Sequence, residues 1–200
     1  FRTISEQLGP FGFDIVQDVQ VLTPTHKGPI GTAELNIALQ RLIQRDRFGV
    51  AVPAVDPNKR PPILLHDKVI QTRNNYDLGV MNGSIGIVRG AGEDLLVDFD
   101  GQMVTYERGS NALADLQLAY ALTVHKTQGS EFRCAVVIAH KAHSFMHHRN
   151  LLYTAVTRAK ETCIILGDQW GVKNCAAQQQ VDRRRTFLGG FLAAREDSCR

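Results

Sequence analysis

Short apolar segments alternate with helical segments near both ends of this chain, and that alternation limits the fold more than any other feature. Residues 18–24 have the composition of a strand, and a loop containing Gly28 and Gly31 follows it. A helix is predicted next, because Leu35, Ala38, Leu39, Leu42 and Ile43 recur at helical spacing, with Thr32 able to cap its start. Strands that alternate with helices form parallel sheets. We therefore predict an α/β fold.

The same rhythm returns after residue 116. Residues 116–122, 134–139 and 162–166 are predicted strands, and residues 149–159 are a predicted helix. Residues 123–128 can form a short helix that ends at Gly129. From Val172 onward the chain is a basic, helical tail that contains Arg183, Arg184 and Arg185.

The middle of the chain has a different character. Residues 48–62 hold four prolines and read as a connector. Strands are predicted over 67–73, 85–88, 95–99 and 102–107, and the last two are joined by Asp100-Gly101, a strong hairpin signal. This density of short strands predicts a small inserted β-barrel. We divide the chain into a first part of the α/β domain (1–62), the barrel (63–115) and the remainder of the α/β domain (116–200).

Composition places the chain among globular proteins. Apolar residues make up 44% of its 200 residues, and no run of about 18 apolar residues is present. We expect no membrane span, a cytoplasmic location and reduced thiols at Cys134, Cys163, Cys175 and Cys199. The net charge of +3 is compatible with a polyanionic partner but does not require one. Because the chain begins at Phe1, we expect it to be part of a longer protein.

Three loops carry cations, hydroxyls or amides next to predicted strands: His26-Lys27-Gly28, residues 125–131, and Thr157-Arg158. Positive charge and hydrogen-bond donors suit a phosphate ester. In parallel sheets, ligands collect beyond the carboxyl ends of strands. We therefore expect the three loops to converge on one phosphate-bearing ligand.

These segments together resemble a known family. LAYALTVHKTQGSEF (118–132) and LLYTAVTRAK (151–160) resemble motifs V and VI of superfamily-1 helicases, in the form typical of RecD-type DNA helicases. VLTPTHKGPIGTAELNIALQ (21–40) resembles the motif IV region, and DKVIQTRNNYDLGVMNGSIGIV (67–88) resembles the inserted barrel. The resemblance implies a RecA-like motor domain, the C-terminal one of two.

The resemblance also implies a nucleotide site. Arg158 matches the motif VI arginine that reaches the γ-phosphate, a role that suits the permanently charged guanidinium fork. Glu131 matches the glutamate that accepts from ribose hydroxyls, Gly129 lets the backbone approach the nucleotide, and Gln128 couples the nucleotide and DNA sides. The motif IV phosphate contact is His26 or Lys27. Lys27 is favoured because its charge is constant at neutral pH.

A DNA track is implied as well. Thr123, His125 and Thr127 match the motif V residues along the DNA backbone, and Lys126 is a further candidate phosphate contact. Arg73, Asn75 and Tyr76, in a polar loop of the barrel, can brace or stack on single-stranded DNA.

The phosphate cradle itself is expected elsewhere. No GxxxxGK loop followed by Ser or Thr occurs in the sequence, so ATP and Mg²⁺ are expected mainly on a missing N-terminal motor domain. The implied partners are single-stranded DNA and that N-terminal domain. If the parent protein is a subunit of exodeoxyribonuclease V, the other subunits of that enzyme are partners as well. The implied direction is 5′ to 3′, and the chain by itself is expected to be inactive.

Two other functions stay open. The chain can be the helicase portion of a conjugative relaxase, which shares motifs V and VI, or a degenerate helicase domain used for DNA binding or subunit docking. A zinc site is disfavoured, because the histidine cluster lacks cysteine partners and regular ligand spacing. That cluster comprises His140, His143, His147 and His148.

Overall fold

The strands and helices follow the predicted order, with some boundaries moved. The computed structural model describes residues 1–54 and 59–178. The α-helices are α1 (Arg2–Leu8), α2 (Thr32–Phe48), α3 (Asn111–Ala114), α4 (Arg149–Val156) and α5 (Gln169–Ala177). The strands are β1 (Val19–Thr23), β2 (Lys68–Gln71), β3 (Ile85–Ala91), β4 (Leu95–Phe99), β5 (Gln102–Tyr106), β6 (Leu116–Leu118), β7 (Ala121–Thr123), β8 (Phe132–Ala139) and β9 (Ala159–Gly167). Short 3-10 helices cover Gly9–Phe11, Val124–Thr127 and Lys141–Met146.

Four strands form a parallel sheet in the order β7-β1-β8-β9. β1 lies inside it, with Val21 opposite Ala121 of β7 on one side and Val136 of β8 on the other. All five residues of β1 are buried, as expected for a strand that is covered on both faces. The predicted α/β class is confirmed.

The helix after β1 differs from its prediction in two details. Gly31, not Thr32, is the N-cap of α2, and the Thr32 hydroxyl instead hydrogen-bonds with His26 Nδ1 at 2.7 Å. Leu39 and Ile43 are buried as expected, but Ala38 is exposed. The buried surface of α2 is therefore rotated away from the predicted apolar stripe, toward three polar residues.

Those three residues are Asn36, Gln40 and Gln44, which recur every four positions and are all buried. A buried amide is costly unless it is hydrogen-bonded. Each of these amides has partners on other elements of the fold. The polar stripe therefore ties α2 to the rest of the molecule.

The middle segment folds into an antiparallel sheet in the order β5-β4-β3-β2-β6. The predicted hairpin is present, with positive φ at Asp100 (53°) and Gly101 (91°), as a two-residue hairpin turn requires. The sheet is curled. Two strands separate β5 from β2, yet the Tyr106 hydroxyl of β5 donates to Gln71 Oε1 of β2 at 2.9 Å. It does not close into the predicted barrel. Over the described residues, no pairing joins β5 to β6.

Residues 116–122 are not one strand, as predicted, but two strands in different sheets. β6 pairs with β2 in the antiparallel sheet, and β7 pairs with β1 in the parallel sheet. Ala119 and Tyr120 lie between them, and the Ala119 amide donates to the Lys68 carbonyl. A continuous apolar run cannot reveal this break, because both strands are buried.

The carboxylate of Asp67 joins the two sheets. Asp67 is 0% exposed and accepts hydrogen bonds from Gln40, from Gln44 at 2.8 Å, from the Tyr120 hydroxyl at 2.8 Å and from the Leu64 amide at 2.7 Å. Burial raises the pKa of this carboxyl above its usual value, although the donors oppose that shift. Asp67 thus links α2, the segment before β2 and the segment before β7.

The next residue makes a second connection. Lys68 is 2% exposed, and its Nζ donates to the carbonyls of Val19 at 3.1 Å and Gln17 at 3.3 Å, at the start of β1. It also lies 5.6 Å from the centre of the Phe132 ring. Burial lowers the pKa of the Lys68 amine to about 8, an effect that the nearby carboxylates of Asp18 and Asp14 partly oppose.

The C-terminal part also departs from prediction. α4 ends at Val156 rather than at Ala159, because Ala159 already pairs with Phe132 as the first residue of β9. α5 begins at Gln169, before the predicted start at Val172. The predicted basic tail beyond residue 178 lies outside the described residues, as does Cys199.

Cys134, Cys163 and Cys175 are free thiols, as expected. In the described ranges, no helix combines the length and the apolar character needed to cross a bilayer.

Replacing Asp67 should destabilise the fold strongly. Asp67→Leu leaves four buried donors without an acceptor, and each orphaned group costs about 1–3 kcal/mol. We expect a loss of roughly 3 kcal/mol or more in the free energy of unfolding, measured by urea denaturation. Asp46→Leu is the control, because Asp46 accepts only from the exposed Arg2 and Arg45, so its loss should change the free energy of unfolding far less. Equal losses in the two variants would contradict the proposed importance of Asp67.

Stability should rise with pH in the window set by Lys68. The unfolded amine titrates near 10.5 and the folded amine near 8, so the unfolded state binds more protons between these values. The penalty for burying the charge is complete below pH 8 and fades as pH approaches 10.5. Relative to Lys68→Met, the native protein should gain up to about 3 kcal/mol across this window in urea denaturation. Parallel stability curves for the two proteins would show that Lys68 has no such shift.

Candidate functional site

The carboxyl ends of the four parallel strands lie at one edge of the sheet, which we call the carboxyl edge. Residues 24–31 follow β1 there, Val124–Thr127 follows β7, Lys141–Met146 follows β8, and Asp168 follows β9. The opposite end of the same strands is the amino edge. The predicted site residues divide between these two edges.

The loop after β1 is held by its own threonines. Thr23 Oγ1 donates to the Ile30 carbonyl at 2.8 Å, and Thr25 Oγ1 donates to the Lys27 carbonyl at 3.1 Å. The Thr32 amide, at the start of α2, donates to the Thr25 carbonyl at 3.1 Å. The first helical amide is thus used by the loop itself.

A close backbone approach requires the glycine at position 31. A β-carbon there would lie 2.6 Å from the carbonyl oxygens of both His26 and Lys27. The folded loop leaves the His26 and Lys27 side chains exposed at the carboxyl edge. Both candidates for the motif IV contact therefore remain accessible.

The loop after β7 presents only part of its predicted set. Thr123 is the N-cap of the 3-10 helix and accepts from the Lys126 amide at 3.4 Å, while His125 and Lys126 are exposed. Thr127 is 0% exposed, and its hydroxyl donates to the Val124 carbonyl at 2.9 Å. Because its side chain is enclosed and hydrogen-bonded internally, the prediction that Thr127 contacts DNA is wrong.

Residues 124–131 then cross from the carboxyl edge to the amino edge. The segment leaves the end of β7 and reaches the start of β8, so it runs the length of the sheet. Gln128 and Gly129 are exposed along it, and Gly129 has a φ of 87°, which favours glycine. Glu131 is exposed at the amino edge, where Lys160 Nζ lies 3.6 Å from its carboxylate.

Arg158 lies at the amino edge beside this segment. It is half-buried, and its guanidinium donates to the carbonyls of Ser130 at 3.0 Å and Thr154 at 3.1 Å and to Thr157 Oγ1 at 3.3 Å. Among the residues that the structure describes, no carboxylate lies within 4.0 Å of it. The charge is therefore positioned by neutral oxygens, with no ion pair to another described residue.

The predicted convergence of all three loops is wrong. Arg158 precedes β9, and the turn from a helix into a parallel strand lies at the amino edge, whereas His26 and Lys27 follow β1 at the carboxyl edge. β8 separates the edges by its eight residues, about 25 Å. The structure brings Arg158 together with Glu131 and Gly129. It brings Lys27 together with Thr123 and His125.

Sequence reasoning missed a contact that supports the carboxyl edge. The Asn36 side chain donates to the Ala121 carbonyl and accepts from the Ala121 amide, both at 2.9 Å. The Asn36 side chain thus forms the two hydrogen bonds that a neighbouring strand would form with β7, two residues before Thr123. The recurrence of Asn36, Gln40 and Gln44 at four-residue intervals is the signal that could have indicated it.

The histidine cluster has structural roles. Buried His143 hydrogen-bonds with Thr25 Oγ1 at 3.0 Å, and buried His147 with Asn174 at 3.1 Å. Burial lowers the pKa of His143, His147 and His148, which favours their neutral forms. In the described part of the chain, no three His, Cys, Asp or Glu residues are arranged to hold a metal ion.

The tip of the antiparallel sheet is open to solvent. The Tyr76 side chain is 76% exposed, and Arg73 projects there with only a 3.7 Å contact to Asp115. Asn75 is half-buried and accepts from the Leu78 amide at 3.0 Å, which stabilises the turn. Of the three predicted contacts at this tip, Asn75 is the least exposed, whereas the Tyr76 hydroxyl accepts only an exposed hydrogen bond from Asn74 at 3.3 Å among the described residues.

A protein-family model described as "UvrD-like helicase C-terminal domain" matches residues 118–166. This segment runs from the end of β6 to β9, and it includes the crossing segment and Arg158.

Curated relatives match over most of the chain. The "ATP-dependent RecD2 DNA helicase" of Deinococcus radiodurans is 42% identical over 171 residues, which is 85% of this chain and 23% of that protein. The "RecBCD enzyme subunit RecD" of Haemophilus influenzae is 30% identical over 174 residues, 87% of this chain and 25% of that protein. The chain therefore spans about a quarter of the length of these relatives.

Solved structures share the fold. The "Crystal structure of Pif1 helicase from Candida albicans" superposes with a TM-score of 0.52 at 16% identity, covering 81% of this chain and 48% of that one. A structure of two coordinating Pif1 helicases at forked double-stranded DNA has a TM-score of 0.50 at 19% identity, covering 97% and 48%.

Proposed function

We propose that this chain, which is similar in sequence to RecD-type superfamily-1 helicases, is the second, C-terminal motor domain of an ATP-dependent DNA helicase. The observation that carries the proposal is the Arg158 guanidinium, which is accessible at the amino edge with no carboxylate nearby among the described residues. A neighbouring motor domain would hold ATP and Mg²⁺ and present the triphosphate to it.

Arg158 has the chemistry of an arginine finger. Its hydrogen bonds to Ser130 and Thr154 go to neutral carbonyls, which it can exchange for phosphate oxygens without breaking an ion pair. Guanidinium charge aimed at the transferring phosphoryl group stabilises its transition state, worth about 10³–10⁵ in rate in related nucleotidases. Arg158 is the catalytic residue that this domain would contribute.

The other nucleotide contacts lie along the crossing segment. Glu131 would accept from the ribose hydroxyls in exchange for its exposed contact with Lys160. Gly129 permits close approach of the backbone, and Gln128 lies between the two edges. Because the segment begins at the carboxyl edge, a shift at the nucleotide can be transmitted along it to the DNA track.

The carboxyl edge is the proposed DNA track. His125 and Lys126 are exposed there, and the Thr123 hydroxyl lies at the end of β7. We place Lys27, with His26, on this track rather than at the nucleotide, because about 25 Å of β8 separate the loop from Arg158. Exposed Arg73 and Tyr76 of the antiparallel sheet are candidates for a further contact with the single strand.

The proposed domain division keeps the boundaries expected from the sequence. Residues 1–62 and 116–200 would form the motor domain, and residues 63–115 the insert. β6 lies just after this boundary in the sequence but pairs with β2 in the antiparallel sheet, and the chain re-enters the parallel sheet at β7. The 5′ to 3′ direction and, for a RecBCD-type parent, assembly with other subunits are carried over from the family resemblance.

Removing Arg158 should abolish ATP turnover without loss of DNA binding. In the full-length protein, Arg158→Ala should lower kcat by about 10³-fold or more, measured as DNA-stimulated phosphate release. Arg158→Lys keeps the positive charge but loses the forked set of guanidinium donors, so it should restore little of the lost kcat. Arg89→Ala is the control, because Arg89 pairs with Asp98 on the antiparallel sheet.

Two outcomes would oppose this role. Unchanged ATPase in Arg158→Ala removes the finger assignment. ATP hydrolysis by this chain alone, above the background of its Arg158→Ala version, removes the need for a second domain.

Lys27→Ala should weaken DNA binding and leave chemistry intact. A lost phosphate contact should reduce the slope of log Kd against log salt by about 1, measured by fluorescence anisotropy with an oligothymidine. kcat at saturating DNA should not change. Arg41→Ala, on the exposed face of α2, is the charge-matched control. A raised KM for ATP with unchanged DNA affinity would instead assign Lys27 to the nucleotide.

A further inference from the structure

The carboxyl edge continues past the proposed DNA track to the loops after β8 and β9. An open cavity of about 590 Å³ lies there, lined by Lys141, Asp168 and Trp170. None of these residues belongs to the nucleotide or DNA contacts described above. The cavity is large enough to admit a nucleobase.

Asp168 builds this cavity rather than binding in it. One carboxylate oxygen accepts from the Gly171 amide at 2.7 Å, and the other accepts from the Lys141 amide at 2.7 Å. The hydrogen bond from the Lys141 amide, and next the one from the Gly171 amide, hold the pKa of Asp168 below its usual value. Asp168 therefore ties the loop after β8 to the start of α5, and this fixes the positions of Lys141 and Trp170 relative to each other.

Trp170 presents an aromatic surface to solvent. Its side chain is 54% exposed, and the centre of the indole lies 6.2 Å from the centre of the buried His147 ring. An indole that is supported on one side and open on the other can stack with a planar ligand. Lys141, also exposed, adds a positive charge at the same cavity.

The cavity is physically continuous with the Lys27 loop. His143 hydrogen-bonds with Thr25 at 3.0 Å, and it lies on the same 3-10 helix, Lys141–Met146, that carries Lys141. Thr25 in turn donates to the Lys27 carbonyl. One short helix therefore contacts the Lys27 loop and carries a residue of the Trp170 cavity, and both features lie at the carboxyl ends of neighbouring strands.

We propose that Trp170 and Lys141 form a further binding site for single-stranded nucleic acid, in which one base stacks on the indole and the amine contacts a backbone phosphate. The strand would then run across the ends of β7, β1, β8 and β9 in turn. This inference rests on the proposed function, because it extends the same DNA track. A polyanion that offers planar bases matches an exposed ring beside a cation.

The test measures oligothymidine affinity of the full-length protein by anisotropy across a range of salt concentrations. Trp170→Ala should weaken binding about 10- to 100-fold with an unchanged salt slope, since stacking releases no counterions. Trp170→Phe, which keeps a stacking ring, should restore most of the affinity. Lys141→Ala should reduce the salt slope by about 1.

Phe145→Ala is the matched control. Phe145 lies on the same 3-10 helix and is 70% exposed, but it does not line the cavity, so its loss should leave affinity unchanged. In addition, an oligonucleotide carrying 5-iodouracil should photo-crosslink to the peptide that contains Trp170.

The outcomes separate this site from the proposed function. Unchanged affinity in Trp170→Ala, with no crosslink at its peptide, overturns the stacking site and assigns the indole to a protein contact. If Lys27→Ala still weakens binding in that case, the DNA track stands without this extension. Failure of the full-length protein to bind any oligothymidine overturns the proposed function itself. Equal effects of Trp170→Ala and Phe145→Ala also contradict a defined site.

Discussion

A single buried carboxylate holds the two halves of this molecule together. Asp67 accepts hydrogen bonds from a helix of the parallel-sheet domain, from the backbone just before β2 and from the tyrosine that precedes β7. An enclosed carboxylate is tolerated only when donors surround it, so these four partners must keep their positions together. The antiparallel sheet is thus joined to the parallel-sheet domain through these hydrogen bonds. Lys68, the next residue, reinforces the same junction at the start of β1.

The parallel sheet separates two kinds of chemistry by the length of its strands. The Arg158 guanidinium, which has no ion pair within the described residues, and the exposed Glu131 lie at the amino edge, and the exposed histidine and lysine side chains lie at the carboxyl edge. The segment 124–131 is the covalent connection between them, and Arg158 holds its far end through the Ser130 carbonyl. The proposed nucleotide and DNA sites would therefore be connected through this segment, without direct contact between them.

Much of the fold could be predicted because it depends on local patterns. The buried strand β1, the Asp100-Gly101 hairpin and the strand–helix alternation each follow from residues close together in sequence. The failures involve distant partners. Ala38 is exposed because α2 turns its amides toward partners on other elements, and the antiparallel sheet leaves β5 and β6 unpaired in the described residues.

The fold class and the candidate site residues could be predicted without coordinates, because periodicity, turn residues and motif spacing are properties of the chain. The grouping of those residues in space could not, because it depends on strand pairing. The edge of the parallel sheet at which a loop lies depends on whether the loop precedes or follows a strand. Arg158 precedes β9 and lies at the amino edge, whereas Lys27 follows β1 and lies at the carboxyl edge. Strand pairing joins residues far apart in the chain, and no local pattern records it.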